Sequence, residues 1–496
     1  MKKTLSSNRI YANPRIVRLL MFSLTTIFVL SCKETVDKNS DEPEDISNQD
    51  RPNIVLIMTD QHQAEALSIA GNLNLKTPNL DKLATSGVRF ENAYVTFPLC
   101  SPSRSSMFTG QLPHQLGVNS NADTALQKNV ANTSLAQVLK SNGYDCAYGG
   151  KWHAPEVEIE DNSGFDKISE FGDLNLAENS IAFLKSKAAS KTPFFLVASF
   201  DNPHTICEWA RNQPLPYGNI KPVPLEETPT LPINFKKSAT FPEALQYEQA
   251  ADVLSYPTKH YTEADWRQYR YTYYRLIEKV DHEIGKIIDA IDALGLRDNT
   301  IIIFTSDHGD GNASHGWNQK TALFQESINV PLIISDKTVQ IAQKTTKKNL
   351  VSTGLDLYST VLDYAGISTS DTLLGKSIRP MISLGNDREN HDFVVTETKF
   401  DSKNGYGTLG RAVIDKQYKY VLYSWGKHRE QFFDLAADPF EMNNLANAQD
   451  HFELMDSYRQ KLITWCQKTN DTQFLKRAIL PSTTTMSSSL LFDKPY

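Results

Sequence analysis

The sequence predicts an α/β fold with a doubly wound sheet flanked by helices. Two continuous apolar runs, 53–58 and 301–304, lack the alternation of half-exposed strands. Such runs indicate strands that are buried on both faces, as in parallel sheets. Each run ends in polar residues. Binding sites in this class of fold are built at the carboxyl ends of the strands, so these polar residues are candidates for function.

The remaining elements follow from spacing and composition. An apolar stripe from Ile277 to Leu294 predicts an amphipathic helix that ends at Gly295. The run 194–197 predicts a further buried strand. Residues 210–265 hold eight of the 23 prolines and show little periodicity. We therefore expect this segment to be a long ordered excursion over one face, outside the core, and to form the rim of a binding site.

The pattern changes after about Gly375. Shorter alternating segments follow, such as 411–424, and a helix is predicted near 452–466. We expect a main domain over 51–375 and a smaller C-terminal α+β domain over 376–496.

The first 31 residues are typical of a bacterial export signal. Basic residues precede a short apolar run, 19–30, which is too short to span a bilayer. A small residue stands directly before Cys32, as in lipoprotein signals, where that cysteine is lipidated; an ordinary cleaved signal is the alternative. Residues 32–50 then form a polar tether. We expect an exported lipoprotein in the periplasm or on the outer-membrane surface, anchored through lipid.

Charge and cysteine content restrict the partners and the covalent structure. The chain has 51 Lys+Arg against 58 Asp+Glu, a net charge of −7, which excludes a dedicated nucleic-acid binder. Four cysteines besides Cys32 lie at irregular spacings, so no disulfide framework is expected. One bridge between two of them is left open: Cys100, Cys146, Cys207 and Cys466.

The segment around Cys100 carries the most specific motif. Cys100, Pro102 and Arg104 form C-x-P-x-R, which resembles the sulfatase signature in which the cysteine becomes formylglycine. The resemblance extends over 51–444 in the family's order, through the strand that ends at Asp60, 149–153 (GGKWH), 202–204 (NPH), 306–309 (SDHG) and 315–316 with Lys320. It implies an alkaline-phosphatase-like fold, a catalytic domain at 51–375, and maturation by a formylglycine-generating or anaerobic maturase enzyme.

The chemistry of a sulfate ester explains why a metal belongs here. The negative oxygens repel a nucleophile, so a catalyst needs a cation to hold them. Hard carboxylate and carbonyl oxygens suit calcium. The resemblance implies a calcium site formed by Asp60, Gln61, the modified Cys100, Asp307 and His308. Many members have Asp-Asp at 60–61 and Asn at 308; one charge fewer leaves room for manganese or another divalent ion.

The resemblance also implies the catalytic roles. Cys100 supplies the nucleophile after modification, because a formylglycine hydrate offers two hydroxyls on one carbon. Asp307 assists its deprotonation. The other implied roles are as follows: Arg104 steadies the diol, Lys151 and Lys320 pair with sulfate oxygens, His153 takes a proton in the elimination step, and His204 protonates the leaving alcohol.

Three functions are compatible with these motifs. The motif set resembles the polysaccharide sulfatases of Bacteroidetes, which implies a sulfated carbohydrate substrate, with ulvan as the preferred example. A phosphonate monoester hydrolase or phosphodiesterase of the same superfamily shares the formylglycine and also pairs Asp-Gln with Asp-His. A non-catalytic glycan-binding lipoprotein is the third possibility. Structural roles are also open: Asp60 and Asp307 as helix N-caps, and Trp209 as a buried aromatic rather than a sugar platform.

Overall fold

The computed structural model describes residues 51–123, 126, 134–155, 163–252, 254–337, 339, 345–369, 372–382, 390–400 and 407–478. The predicted signal peptide, the tether and Cys32 lie outside this range. None of the helices in the described part combines the length and apolarity needed to cross a membrane.

Strands and helices alternate through most of the chain. The strands are β1 (Asn53–Asp60), β2 (Val88–Tyr94), β3 (Asp145–Gly150), β4 (Asp166–Ser169), β5 (Phe194–Pro203), β6 (Thr300–Ser306), β7 (Leu332–Ser335), β8 (Thr345–Ser352), β9 (Val394–Lys399), β10 (Leu409–Ile414), β11 (Tyr418–Tyr423) and β12 (Glu430–Asp434). The helices are α1 (Pro78–Thr85), α2 (Cys100–Thr109), α3 (Pro113–Leu116), α4 (Leu135–Ser141), α5 (Leu176–Lys187), α6 (Ile206–Ala210), α7 (Glu243–Ala251), α8 (Glu263–Ala293), α9 (Gln325–Ile328), α10 (Thr353–Tyr364), α11 (Phe452–Thr469) and α12 (Thr472–Arg477).

The first eight strands form one mixed sheet in the order β4-β3-β5-β1-β6-β7-β2-β8. Neighbouring strands are parallel except at β7, which is antiparallel to both β6 and β2. At the centre, Val55 lies opposite Leu196 of β5 and Ile302 of β6. The predicted doubly wound α/β sheet is therefore confirmed, with the three predicted strands side by side in it.

Helices cover both faces of this sheet. On one face, Val55 of β1 belongs to an apolar cluster with Ile284 of α8. On the other, Ile54 of the same strand joins a cluster with Met107 of α2. Because successive strand residues point to opposite faces, one apolar run serves both clusters. The chain leaves α8 at Gly295, whose φ of 68° is readily adopted by glycine.

The last four strands form a separate antiparallel sheet in the order β12-β11-β10-β9. Helices α11 and α12 pack on it through Leu462 and Phe474, which share an apolar cluster with Val413 of β10. This arrangement confirms the smaller C-terminal α+β region. The domain boundary at 375/376 stays a prediction.

Part of the proline-rich segment 210–265 contributes side chains to the core. Phe241, Leu245 and Tyr256 are buried in one apolar cluster with Trp317. The ring centroids of Tyr256 and Trp317 are 4.6 Å apart. The expectation that this segment lies outside the core is therefore wrong for these side chains. Short helices and turns separate them, so no regular spacing marked them in the sequence.

A buried charge cluster connects the segment after α2 with the C-terminal sheet. His114 Nδ1 lies 2.7 Å from Glu397 Oε1, and Nε2 lies 3.1 Å from the carbonyl oxygen of Thr469. A carboxylate and a carbonyl only accept hydrogen bonds, so the pair is satisfied when both ring nitrogens carry hydrogen. Burial opposes this charge, but Glu397 raises the pKa of His114 above its ordinary value. Arg411 completes the cluster with ion pairs to Glu397 at 3.3 Å and Asp471 at 2.8 Å.

At pH values below about 6.5, the ordinary pKa of histidine, replacing His114 by glutamine is expected to lower the free energy of unfolding by about 1–3 kcal/mol. The raised pKa in the folded state means that protonation stabilises this state. The stabilisation is complete below the unfolded-state pKa and is lost as pH rises through the folded-state pKa. Denaturant unfolding of the parent and the variant, from below pH 6.5 upwards through the folded-state pKa, measures the difference between their free energies of unfolding. A difference that stays constant as pH rises would show that His114 is not charged in this cluster.

Candidate active site

The predicted site residues meet at the carboxyl edge of the main sheet. Asp60 is the last residue of β1, Asp307 follows the end of β6, and Cys100 opens α2. All three side chains are fully buried. Parallel strands place their carboxyl ends on one edge, so residues distant in sequence are brought together there.

Four side chains offer converging ligand atoms. Asp60, Cys100, Asp307 and His308 each present one such atom, and these atoms all lie within 4.8 Å of one another. Cys100 Sγ is 3.2 Å from His308 Nε2 and 3.8 Å from Asp60 Oδ1. Conversion to formylglycine replaces the sulfur with oxygen, so Sγ marks where oxygen of the modified residue stands. Two carboxylates, an oxygen and an imidazole fit a hard or borderline divalent cation.

Gln61 joins this group through both its backbone and its side chain. Its backbone φ is 71°, and its N–H donates to Asp307 Oδ1 at 3.2 Å. Its side-chain amide donates from Nε2 to Asp310 Oδ2 at 2.5 Å. The amide also lies beside Cys207, whose Sγ is 3.7 Å from Oε1. The predicted role of Gln61 as a metal ligand stays a prediction; its contact with Asp310 was not foreseen.

Two ammonium groups flank the converging atoms. Lys320 Nζ lies 3.0 Å from Cys100 Sγ. Lys151 Nζ lies 2.7 Å from Asp60 Oδ2 and 2.9 Å from Asp201 Oδ1. Burial opposes ionisation of Asp60, yet Lys151 and further cations hold the pKa of Asp60 well below its ordinary value. Burial also disfavours the charged lysine, but Cys100 and Asp60 raise the pKa of Lys320 to about 12.

Arg104 is fully buried behind the two aspartates. Nε donates to Asp307 Oδ2 at 2.6 Å, and Nη2 lies 3.4 Å from Asp60 Oδ2. Nη1 donates to the carbonyl oxygen of Lys151 at 2.6 Å and to Ser199 Oγ at 2.8 Å. The guanidinium therefore orients the two carboxylates that the metal would need. Its predicted contact with the diol stays a prediction.

The two predicted proton-transfer histidines stand at other strand ends. His204 follows β5, and its side chain is 21% exposed. Burial, followed by the charges of Lys151 and Lys320, holds the pKa of His204 well below its ordinary value. His153 follows β3 with a φ of 45°, and its buried Nδ1 has no hydrogen-bond partner within the described ranges. His204 thus lies near the charges of this site, whereas the placement of His153 against the site stays a prediction.

Sequence analysis missed Asp201, which precedes 202–204 (NPH). Its Oδ1 pairs with Lys151, and its Oδ2 accepts from the Tyr217 hydroxyl at 3.0 Å. Tyr217 belongs to the proline-rich excursion, so this contact supports the expectation that the excursion borders the site. The backbone N–H of Asp201 donates to Asp173 Oδ1 at 2.6 Å. A single aspartate at the end of an apolar strand carries no motif, and only its position before His204 could have marked it.

Packing bears on two open alternatives. Trp209 is partly buried and lies edge-on to Tyr261 and Tyr269, with centroids 6.5 and 6.0 Å away, so its ring packs against an apolar cluster, and a role in binding sugar stays a prediction. The described cysteines are free and buried, with none bridged among them: Cys100, Cys146, Cys207 and Cys466.

Comparison with protein families gives a match over most of the chain. The sulfatase family model matches residues 52–175 and 170–367. The chain belongs to the sulfatase family. A model of the C-terminal region of N-sulphoglucosamine sulphohydrolase matches residues 313–468 of this sulfatase, including the second sheet. The family match makes the protein an enzyme of the sulfatase class. Membership of this family implies a formylglycine and a metal site.

Curated relatives are similar along most of their length. The sulfatase is 29% identical over 497 residues to an ulvan-active sulfatase of Formosa agariphila, covering 93% of this chain and 88% of that protein. It is 28% identical over 452 residues to a Delta 4,5-hexuronate-2-O-sulfatase of Bacteroides thetaiotaomicron, covering 85% and 90%. Sulfate ester hydrolysis is therefore the reaction of this family member.

Solved structures show the same architecture. A 2-O GAG sulfatase superposes with a TM-score of 0.74 and 26% identity, covering 88% of this sulfatase and 99% of that chain. The phosphonate monoester hydrolase of Agrobacterium radiobacter shares the fold, with a TM-score of 0.69 and 23% identity over 84% and 96% of the two chains. The predicted alkaline-phosphatase-like fold is confirmed.

Proposed function

We propose that this sulfatase removes sulfate from a sulfated polysaccharide or oligosaccharide, with ulvan as the first candidate, using formylglycine at Cys100 and calcium. The observation that carries the proposal is the position of Cys100 Sγ. It lies between His308 Nε2 at 3.2 Å and Lys320 Nζ at 3.0 Å, beside two buried carboxylates. The similarity to an ulvan-active sulfatase supports the choice of ulvan.

Different residues of the site would bind the sulfate group and transfer protons. Lys151 and Lys320 present ammonium groups that would hold sulfate oxygens, while Asp307 would assist deprotonation of the nucleophile. Formylglycine at position 100 would supply a hydrated aldehyde with two hydroxyls, one to serve as the nucleophile and the other to allow release of sulfate. Calcium, when bound, supplies positive charge against the sulfate oxygens. His204 would give its proton to the leaving oxygen once the bound sulfate offsets the charges of Lys151 and Lys320, which lower its pKa in the free site. His153 would accept the proton released in the elimination.

His204→Gln is expected to slow hydrolysis of a sugar sulfate by about 10²–10⁴-fold, the usual contribution of a general acid. The effect on 4-nitrophenyl sulfate should be much smaller, because nitrophenolate leaves readily without a proton. Comparing kcat on the two substrates for both proteins measures this difference. Equal losses on the two substrates would show that His204 is not the acid.

The substrate class is tested by measuring inorganic sulfate release. The matured protein is assayed with calcium on oligosaccharides of ulvan, carrageenan, fucoidan and glycosaminoglycans, with Cys100→Ala as the matched control. Release from ulvan oligosaccharides alone is the expected result. Release from another class would replace ulvan as the substrate. No release from any of them, with the aldehyde at Cys100 confirmed by mass, would contradict the proposal.

A second candidate reaction rests on the ligand pattern. Asp60-Gln61 together with Asp307-His308 is the pairing that the phosphonate monoester hydrolases and phosphodiesterases of the superfamily share. Bis(4-nitrophenyl) phosphate and a phosphonate monoester, assayed beside the sulfated glycans, separate the two reactions by kcat/KM. A non-catalytic glycan-binding role predicts binding of these glycans without release of either ion.

We also propose that the protein is exported and anchored through lipid at Cys32, after maturation of Cys100 by a formylglycine-generating or anaerobic maturase enzyme. The signal-like segment ending at Ser31-Cys32 and the polar 32–50 support this location. Cys32→Ser should move the protein from the membrane fraction to the soluble fraction. Membrane association unchanged by this substitution would contradict the anchor.

A further inference from the structure

We propose that Asp310 is a positioning residue for the metal site. Its carboxylate holds the amide nitrogen of Gln61, which leaves the carbonyl oxygen as the end of the amide that a cation would bind. The inference rests on the metal site of the proposed function.

The contacts of Asp310 fix the amide. Gln61 Nε2 donates to Asp310 Oδ2 at 2.5 Å, so the nitrogen side of the amide is occupied by the carboxylate. An amide has one donor end and one acceptor end, and cations bind only the acceptor end. With its NH₂ held by Asp310, the acceptor end of the side chain is Oε1, which Cys207 Sγ approaches at 3.7 Å. The backbone of Gln61 is fixed as well, because Tyr273 donates to its carbonyl oxygen at 2.7 Å.

The remaining partners of Asp310 all donate hydrogen bonds to its carboxylate. The Tyr269 hydroxyl lies 3.0 Å from both carboxylate oxygens, and the backbone N–H of Asn312 donates to Oδ1 at 2.6 Å. Every one of these partners donates. The side chain is fully buried, and burial raises the pKa of Asp310, an effect that the donors oppose.

The contact with Nε2 gives Asp310 its purpose. Asp310 Oδ2 lies 2.5 Å from the amide nitrogen, so the carboxylate would keep the side chain from turning that nitrogen towards a cation. Groups that orient metal ligands in this way commonly change metal affinity by about 10–100-fold when they are removed.

Calcium affinity of the full-length matured protein tests this directly, by calorimetric titration with Ca²⁺ alone. Asp310→Asn is expected to weaken Ca²⁺ binding by about tenfold or more. Tyr269→Phe is the matched control, because it removes one donor to Asp310 and leaves the contact with Gln61. It should keep the affinity within about threefold of the parent. An affinity unchanged by Asp310→Asn would overturn the inference.

A double-mutant cycle separates positioning from a general structural role. If Asp310 acts through the amide, Asp310→Asn should cost less than about threefold in a Gln61→Ala background. The same loss in both backgrounds would show that Asp310 acts by another route, and would overturn the inference. Melting of each metal-free variant checks the fold. Asp310→Glu, which keeps the charge but displaces it, provides the same comparison if the asparagine variant does not fold.

The calcium-binding measurements test the role of Asp310 separately from the sulfatase reaction. If the parent protein binds Ca²⁺ and the cycle shows coupling, the inference stands whether or not sulfate is released. If the parent binds no Ca²⁺ while it hydrolyses sulfate esters, the inference fails and the reaction stands.

Discussion

Cys100→Ala is expected to abolish sulfate release, with kcat/KM falling by about 10⁵-fold or more, as when the nucleophile of a covalent hydrolase is removed. The predicted chemistry has no substitute, since the attacking oxygen derives from this side chain. Sulfate release by the purified variant, measured over long incubations, gives the residual rate.

The fold of this variant should be close to that of the parent. Cys100 is fully buried at the start of α2, and alanine removes a single heavy atom there. Such a small cavity costs on the order of 1 kcal/mol. Melting temperature serves as the control. Turnover by a folded Cys100→Ala protein at the parent rate would disprove the nucleophile.

Arg104→Gln is expected to be the most destabilising substitution in the site, with a loss of about 3–5 kcal/mol in metal-free protein. The guanidinium lies 2.6 Å from Asp307 Oδ2 and 3.4 Å from Asp60 Oδ2, and all three side chains are buried. Glutamine would leave two carboxylates without this cation. Denaturant unfolding in the presence of a chelator measures the loss.

Lys82→Gln is the matched control for this loss. Its ion pair with Asp289 spans 3.4 Å, but both side chains are largely exposed, so its removal should cost less than about 1 kcal/mol. Equal losses in the two variants would contradict the assigned role of Arg104.

Parts of this fold could be predicted because buried strands and helices require long, regular patterns of apolar residues in the sequence. Strands β1 and β6 lie in the middle of the sheet and appear as unbroken apolar runs, and α8 shows its stripe over many turns. Strand β7 has four residues, too few for any pattern to be read with certainty, and its antiparallel direction depends on its neighbours. Local sequence does not encode that pairing.

The candidate site shows a similar division. Residues in short motifs at strand ends were predicted to lie together, and Asp60, Cys100, Asp307 and His308 do converge. Asp201 and Asp310 were missed although each adjoins a motif. Their roles depend on partners far along the chain, Lys151 and Gln61, and a sequence does not reveal which distant side chains meet.

The burial of Cys100 fixes an order of events during biosynthesis. Its side chain has 0% exposure and contacts Lys320 and His308, so the folded protein leaves little room for a modifying enzyme around it. The proposed oxidation to formylglycine would therefore act on the nascent or unfolded chain, before α2 docks on the sheet. Folding would then compete with maturation, and a molecule that folds first would keep an inactive thiol.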